Sequence, residues 1–134
     1  MLRTGKKSKQ TKAHEITRET KEKVWQRQKG KSLFAPYKNI SVEMCCCHYI
    51  PRSRGGLGEE WNIFGCYQTP YANDEHDAFD HKLSDSQVKQ LTNLTPDQMV
   101  TVVRNHLIEN YDNWSEENCR YKKYVEDYGV RRKK

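Results

Sequence analysis

CCCHYIPRSRGGLGEEWNIFGCYQTPYANDEHDAFD, residues 45–80, is the stretch whose reading decides the fold. An apolar run ends at His48, a Pro-Arg-Ser-Arg-Gly-Gly turn follows, and Asn62 opens a second apolar run. His76 then falls in a segment that reads as a helix. Taken as strand, loop, strand and helix, the stretch gathers His48, Asn62 and His76 at one place although they are far apart in the chain. Pro51 stops the first strand, and Gly55, Gly56 and Gly58 allow backbone shapes closed to other residues. QTPY reads as a turn, and Asn73 or Asp74 as the cap of a short helix through about Lys82.

Outward from this stretch, residues 1–12 read as a basic, flexible arm and about 13–29 as a helix. Its apolar positions (Ile16, Val24, Trp25) are too few for a continuous stripe, which predicts a surface helix ended by Gly30. Beyond the focal stretch, Thr95-Pro96-Asp97-Gln98 is a capping box with proline at the first helical position. Met99, Val102, Val103, His106 and Leu107 follow at helical spacing and predict a core-facing helix over about 96–111. Ser115-Glu116-Glu117 predicts a last helix, to about 126, that docks Tyr121, Tyr124 and Val125, and 129–134 is a basic tail. The expected organisation is α+β: one domain over 13–128, with its core in about 40–82.

Only 34% of the 134 residues are hydrophobic and 31% are charged, so the core must be small. No apolar run nears the ~18 residues of a membrane span, and no signal-peptide apolar region is apparent. A soluble, intracellular protein with no membrane partner is expected. The charge is segregated: residues 1–32 carry eleven Lys/Arg against three Glu, and the chain ends in RRKK, leaving the middle acidic. Basic ends around an acidic middle suit a protein held on phosphates while its centre keeps a cation. Five cysteines, three of them consecutive, read as reduced thiols, because adjacent cysteines pair only with strain.

These residue types point to phosphodiester hydrolysis. A neutral imidazole takes a proton from water near pH 7, and a divalent cation stabilises the oxygen leaving phosphorus. His48, at the mouth of the loop, is placed to be the base. His76 and Asp80, four apart, share a helix face and can both ligate one cation, while Arg52 and Arg54 can hold flanking phosphates.

At His48-Tyr49-Ile50, Arg52-Ser53, Gly55-Gly56-Leu57-Gly58, Asn62-Ile63 and Glu75-His76 with Asp80, the sequence resembles the HNH nuclease family. It looks closest to the small members encoded by bacteriophages and prophages. A weaker likeness runs through Tyr111, Trp114 and Tyr121-Lys122-Lys123. The resemblance implies a ββα-metal core with flanking helices and a metal-dependent DNA endonuclease of weak sequence specificity. His48 would be the general base, Asn62 the residue fixing the loop, His76 a metal ligand, and Cys47 a second ligand in the position before the base. By analogy it also implies a bacterial-cytoplasmic setting and a tie to phage packaging (terminase) machinery. The cation would be Mg, Mn, Ni or Zn; a Cys47 thiolate favours a softer metal than magnesium.

Many relatives also hold a structural zinc on two Cys-x-x-Cys pairs. Here Ser32 stands about where one cysteine is expected, Glu75 replaces another, and Cys66 remains. One cysteine of four cannot make that site. Packing through Trp61, Phe64, Tyr67 and Phe79 is expected to serve instead, with a structural metal on the cysteine cluster and Cys66 as a weaker possibility. The alternative to an enzyme is a catalytically inactive HNH-like DNA-binding or interaction module.

Overall fold

Two antiparallel strands, β1 (Cys45–His48) and β2 (Ile63–Cys66), form the central ribbon, in a computed structural model that describes residues 8–69 and 74–134. The register pairs Cys45 with Cys66, Cys46 with Gly65, Cys47 with Phe64 and His48 with Ile63. Both strands are shorter than the apolar runs around them. A two-stranded ribbon is marginal by itself in water, so each face and the outer edge must be covered. The architecture is α+β, with the ribbon, a second small antiparallel pair and five helices among the described residues.

Alternation along the ribbon sends Cys47, Phe64 and Cys66 to one face and Cys46 and Ile63 to the other. The first face carries the larger core. Here Phe64 meets Phe34 and Phe79 edge to face, and α5 (Pro96–Asn110) contributes Met99, Val103 and Leu107. Trp61 packs at its margin. On the opposite face Val24, Ile40, Met44 and Ile63 form a smaller cluster flanked by Tyr67 and Trp25. The four aromatic residues expected to hold the fold do pack, divided between these two clusters.

The outer edge of β2 is covered by polar side chains from α2 (Arg18–Arg27). Gln28 accepts from the Gly65 N–H at 2.7 Å and donates to the Gly65 carbonyl at 3.2 Å, so its amide stands where a third strand would pair. Arg27 donates to the Ile63 carbonyl at 2.7 Å, the Glu60 carbonyl at 2.7 Å, the Tyr111 hydroxyl at 2.9 Å and His106 Nε2 at 2.8 Å. The helix expected over 13–29 is therefore corrected in two ways. It breaks after His14 into α1 (Lys9–His14), which makes the expected flexible arm helical over residues 9–12, and α2, which with its C-cap Gln28 buries Val24, Arg27 and Gln28 instead of lying on the surface. Lys29 and Gly30 at positive φ end it.

The C-terminal third also departs from expectation. Helix α5 matches its capping box: Thr95 accepts from the Gln98 N–H and Gln98 answers to the Thr95 N–H. No helix follows Ser115. Only a 3-10 turn, Glu117–Cys119, forms before extended chain, and Tyr124 is exposed instead of docked. The tail is not free: β4 (Arg131–Arg132) pairs with β3 (Tyr111–Asp112). Between the focal stretch and α5 stand α3 (Asp74–Phe79), shorter than expected and ended by His81 at positive φ, and the unpredicted α4 (Asp85–Thr92). The expected cap at Asn73, most of the arm and half of the QTPY turn lie outside the described residues. Among those residues no helix is long and apolar enough to cross a membrane.

His106 accepts from Arg27, so its ring must stay neutral; burial first, then Arg27 and Arg132, push its pKa down to about 3. The unfolded chain takes that proton below about pH 6.5 and the folded chain does not, so stability present above 6.5 drains as pH falls toward 3. Between pH 6 and 5 the wild type should lose about 1 kcal/mol more than His106→Gln, which keeps an acceptor for Arg27. Urea melts of both proteins at the two pH values measure the difference; equal losses would remove His106 as the cause.

Candidate functional site

Helix α3 packs on the ribbon face that carries Cys47. The i, i+4 spacing then puts His76 and Asp80 side by side over that strand, and the Asp80 N–H still donates to the His76 carbonyl at 2.9 Å. One ligand atom from each of Cys47, His76 and Asp80 lies within 4.8 Å of the others. His76 Nδ1 is shut off from solvent and has no hydrogen-bond partner among the described residues. Asp80 Oδ2 approaches it to 3.3 Å without the alignment of a hydrogen bond. A buried, unsatisfied ring nitrogen beside a thiol and a carboxylate is what a cation position requires.

The lowered Cys47 thiol suits that donor set, whereas a cation would have to displace the proton that His76 holds more tightly than usual. Contact with the Cys66 thiol, and then with His76, draws the Cys47 thiol below its ordinary pKa despite burial. Burial pushes Cys66 well above its own. Attraction to the Cys47 sulfur raises His76, against desolvation. Three protein ligands of mixed sulfur, nitrogen and oxygen type fit a borderline ion such as zinc better than magnesium, which wants oxygen. These residues therefore fit a metal of that class. Cys66 is not among the grouped ligands; it lies buried beside Cys47.

His48, the next residue of the strand, sits on the other side of the ribbon edge. Its Nε2 lies 2.9 Å from the His14 carbonyl oxygen, an acceptor only, so Nε2 carries the proton and Nδ1 keeps the lone pair. Burial holds its pKa below the usual histidine value; the His14 carbonyl opposes this and Arg52 adds to it. The ring is therefore neutral at pH 7. Strict alternation set Cys47 and His48 on opposite faces, and the ribbon keeps it. Of the donor group only Asp80 reaches the cleft of His48: His48, Arg54 and Asp80 line one cavity of about 490 Å³ together with Ser53, His81 and Lys82, while Cys47 and His76 are not among the residues lining it.

Asn62 takes a different position from the imidazoles. Fully buried, it accepts from the Ile50 N–H at 2.8 Å and donates to the carbonyls of Ile50 at 3.1 Å and Leu57 at 2.8 Å. Its amide is wholly engaged with the loop backbone, so it joins neither imidazole, and His48 itself is not among the grouped ligands Cys47, His76 and Asp80. Arg52 and Arg54 are exposed on a 3-10 turn, Arg52–Arg54.

Ser32 Oγ donates to Glu75 Oε2 at 2.7 Å, and the Tyr67 N–H donates to Glu75 Oε1 at 2.7 Å. The carboxylate so held joins the segment before β1 to that after β2, although burial raises its pKa. Sequence reasoning, which takes His14 as structural or exposed, gives no sign of its link to His48. His14 acts through a backbone carbonyl, which no side-chain pattern reveals. Comparison of the chain with family models, with curated proteins and with solved structures gives no match in any of the three.

Cobalt(II) titration tests the donor set. The wild type should show a thiolate-to-cobalt charge-transfer band that Cys47→Ser abolishes, and His76→Ala should weaken binding by at least about tenfold. A band that survives Cys47→Ser would move the site elsewhere.

Proposed function

We propose that the chain is a metal-dependent DNA endonuclease of the HNH type, built on a ββα-metal core. One observation carries the reading. A neutral histidine held by a main-chain carbonyl shares a cleft with the carboxylate of a Cys-His-Asp donor group and with an arginine. General base, cation ligands and phosphate grip are the three things phosphodiester hydrolysis needs together.

Each step then belongs to a named group. Arg54, and Arg52 beside it, hold phosphates next to the scissile one. His48 Nδ1 takes a proton from water as the water oxygen bonds to phosphorus. The bond from phosphorus to the 3′ oxygen breaks, and that oxygen leaves with a proton from solvent. A divalent cation held by Cys47, His76 and Asp80 would supply positive charge beside the departing oxygen. The His14 carbonyl keeps His48 in the tautomer with Nδ1 free, and Asn62 keeps the loop in register.

Cys47 in a ligand position favours one rival reading, a DNA-binding module that keeps the shape without the chemistry. Plasmid nicking with added Zn²⁺, Mn²⁺, Ni²⁺ or Mg²⁺ separates the two. Cutting should depend on the metal, be weakest with magnesium, and fall by about 10²–10⁴ in His48→Ala. Binding without cutting in every metal would favour the inactive module.

A further inference from the structure

Between Pro51 and Gly58 the loop is clasped by two segments remote from it in sequence. On one side the Gly58 N–H donates to the Ala13 carbonyl at 2.8 Å, and His14 Nδ1 meets the Gly56 carbonyl. On the other, the Leu57 N–H donates to the Cys119 carbonyl at 2.8 Å and the Tyr121 N–H to the Gly55 carbonyl at 2.7 Å. Gly56 and Arg120 thus form an antiparallel bridge. A Cβ on Gly58 would sit 1.9 Å from the Glu15 carbonyl oxygen, so only glycine permits the approach of the α1 end.

The clasp brings together the basic residues of three segments. Lys12, Arg52, Arg54, Arg120 and Lys123 are exposed, and none of them has an ion-pair partner among the described residues. Three acidic neighbours are answered by other cations, Glu126 by Lys9, Glu117 by Lys122 and Asp127 by Arg131, and Glu116 accepts from the Tyr49 hydroxyl. Five uncompensated cations on joined segments repel one another and suit a polyanion. Among them stands Tyr124, 88% exposed on a turn closed by the Val125 N–H donating to the Lys122 carbonyl. The Lys123 ammonium lies 5.5 Å from its ring centre. An aromatic ring left in water among phosphate-gripping cations is a stacking platform for a base.

We propose that the segment 120–124, with the α1 end and the arginine turn, grips single-stranded DNA and leads it toward the cleft of His48 and Asp80. The destination of the strand rests on the nuclease reading; the grip itself does not. A smooth duplex, its bases already stacked on each other, offers phosphates to the cations but no free face to Tyr124.

Fluorescence anisotropy of the full chain in EDTA, with a fluorescein-labelled oligonucleotide of about 20 residues and with its duplex, tests the grip without cleavage. The single strand should bind more tightly than the duplex. Tyr124→Ala should weaken the single strand about fivefold or more and the duplex by less than about twofold. The double variant Arg120→Ala/Lys123→Ala should flatten the slope of log affinity against log salt by about 1.4 for the single strand. Unchanged single-strand affinity in Tyr124→Ala, equal losses on both DNAs, or an unmoved slope would overturn the proposal. A wild type that nicks plasmid while Tyr124→Ala binds normally sinks the grip alone; selective loss in Tyr124→Ala from a protein that never nicks keeps the grip and sinks the nuclease.

Discussion

A ribbon of two four-residue strands has two outer edges, and closing the one along β2 shapes the molecule. Gly65 turns its N–H and carbonyl away from β1, as does the Ile63 carbonyl. Left in a water-poor interior, each such group would cost about 1–3 kcal/mol. The Gln28 amide and the Arg27 guanidinium take all three, and neither can do so from solvent. Helix α2 must therefore lie against β2. Its docking in turn buries an arginine, which needs His106 on α5 and Tyr111 just after it to complete its bonds. One unsatisfied edge thus recruits elements from both ends of the chain.

A second constraint is the small core. With few apolar residues available, the larger cluster is fastened by directional contacts at its margins. Phe64 and Phe79 meet edge to face with centroids 4.7 Å apart, and Trp61 and Trp114 each donate their indole N–H to a backbone carbonyl. The Ser32–Glu75–Tyr67 bridge belongs to the same economy of means. It ties together segments on either side of the ribbon with one buried carboxylate. That carboxylate lies one residue before His76, so the bridge also sets where α3 starts its run over Cys47.

What could be read from the sequence followed from local chemistry. The Thr95 capping box located α5, the two apolar runs around a glycine-rich turn located the ribbon, and the i, i+4 spacing placed His76 beside Asp80. Where function was carried by tertiary partners, the pattern misled. Arg27 and Gln28 look like surface residues because nothing nearby in sequence announces the edge that they close. Ser115-Glu116-Glu117 resembles a helix start, but Cys119 and Tyr121 pair with the loop, and extended chain serves that pairing better. Helix α4 carries a capping box at Ser84 and Gln87 as plain as the one at Thr95. That signal was present, and the weak apolar content of the helix hid it.

The same logic bears on what the candidate site can be by itself. Residues 45–80 hold the proposed base and ligands, yet almost nothing that fixes them. The orientation of His48 depends on a carbonyl 34 positions upstream, and the loop that frames the cleft is clasped at Gly58 by Ala13 and at Leu57 by Cys119. Asn62 secures the loop only from within, through Ile50 and Leu57. A site assembled this way cannot order before the chain ends have docked, because a two-stranded ribbon with an unsatisfied edge does not hold its register in water. Chemistry and overall folding are therefore coupled, and the terminal segments are parts of the site rather than attachments to it.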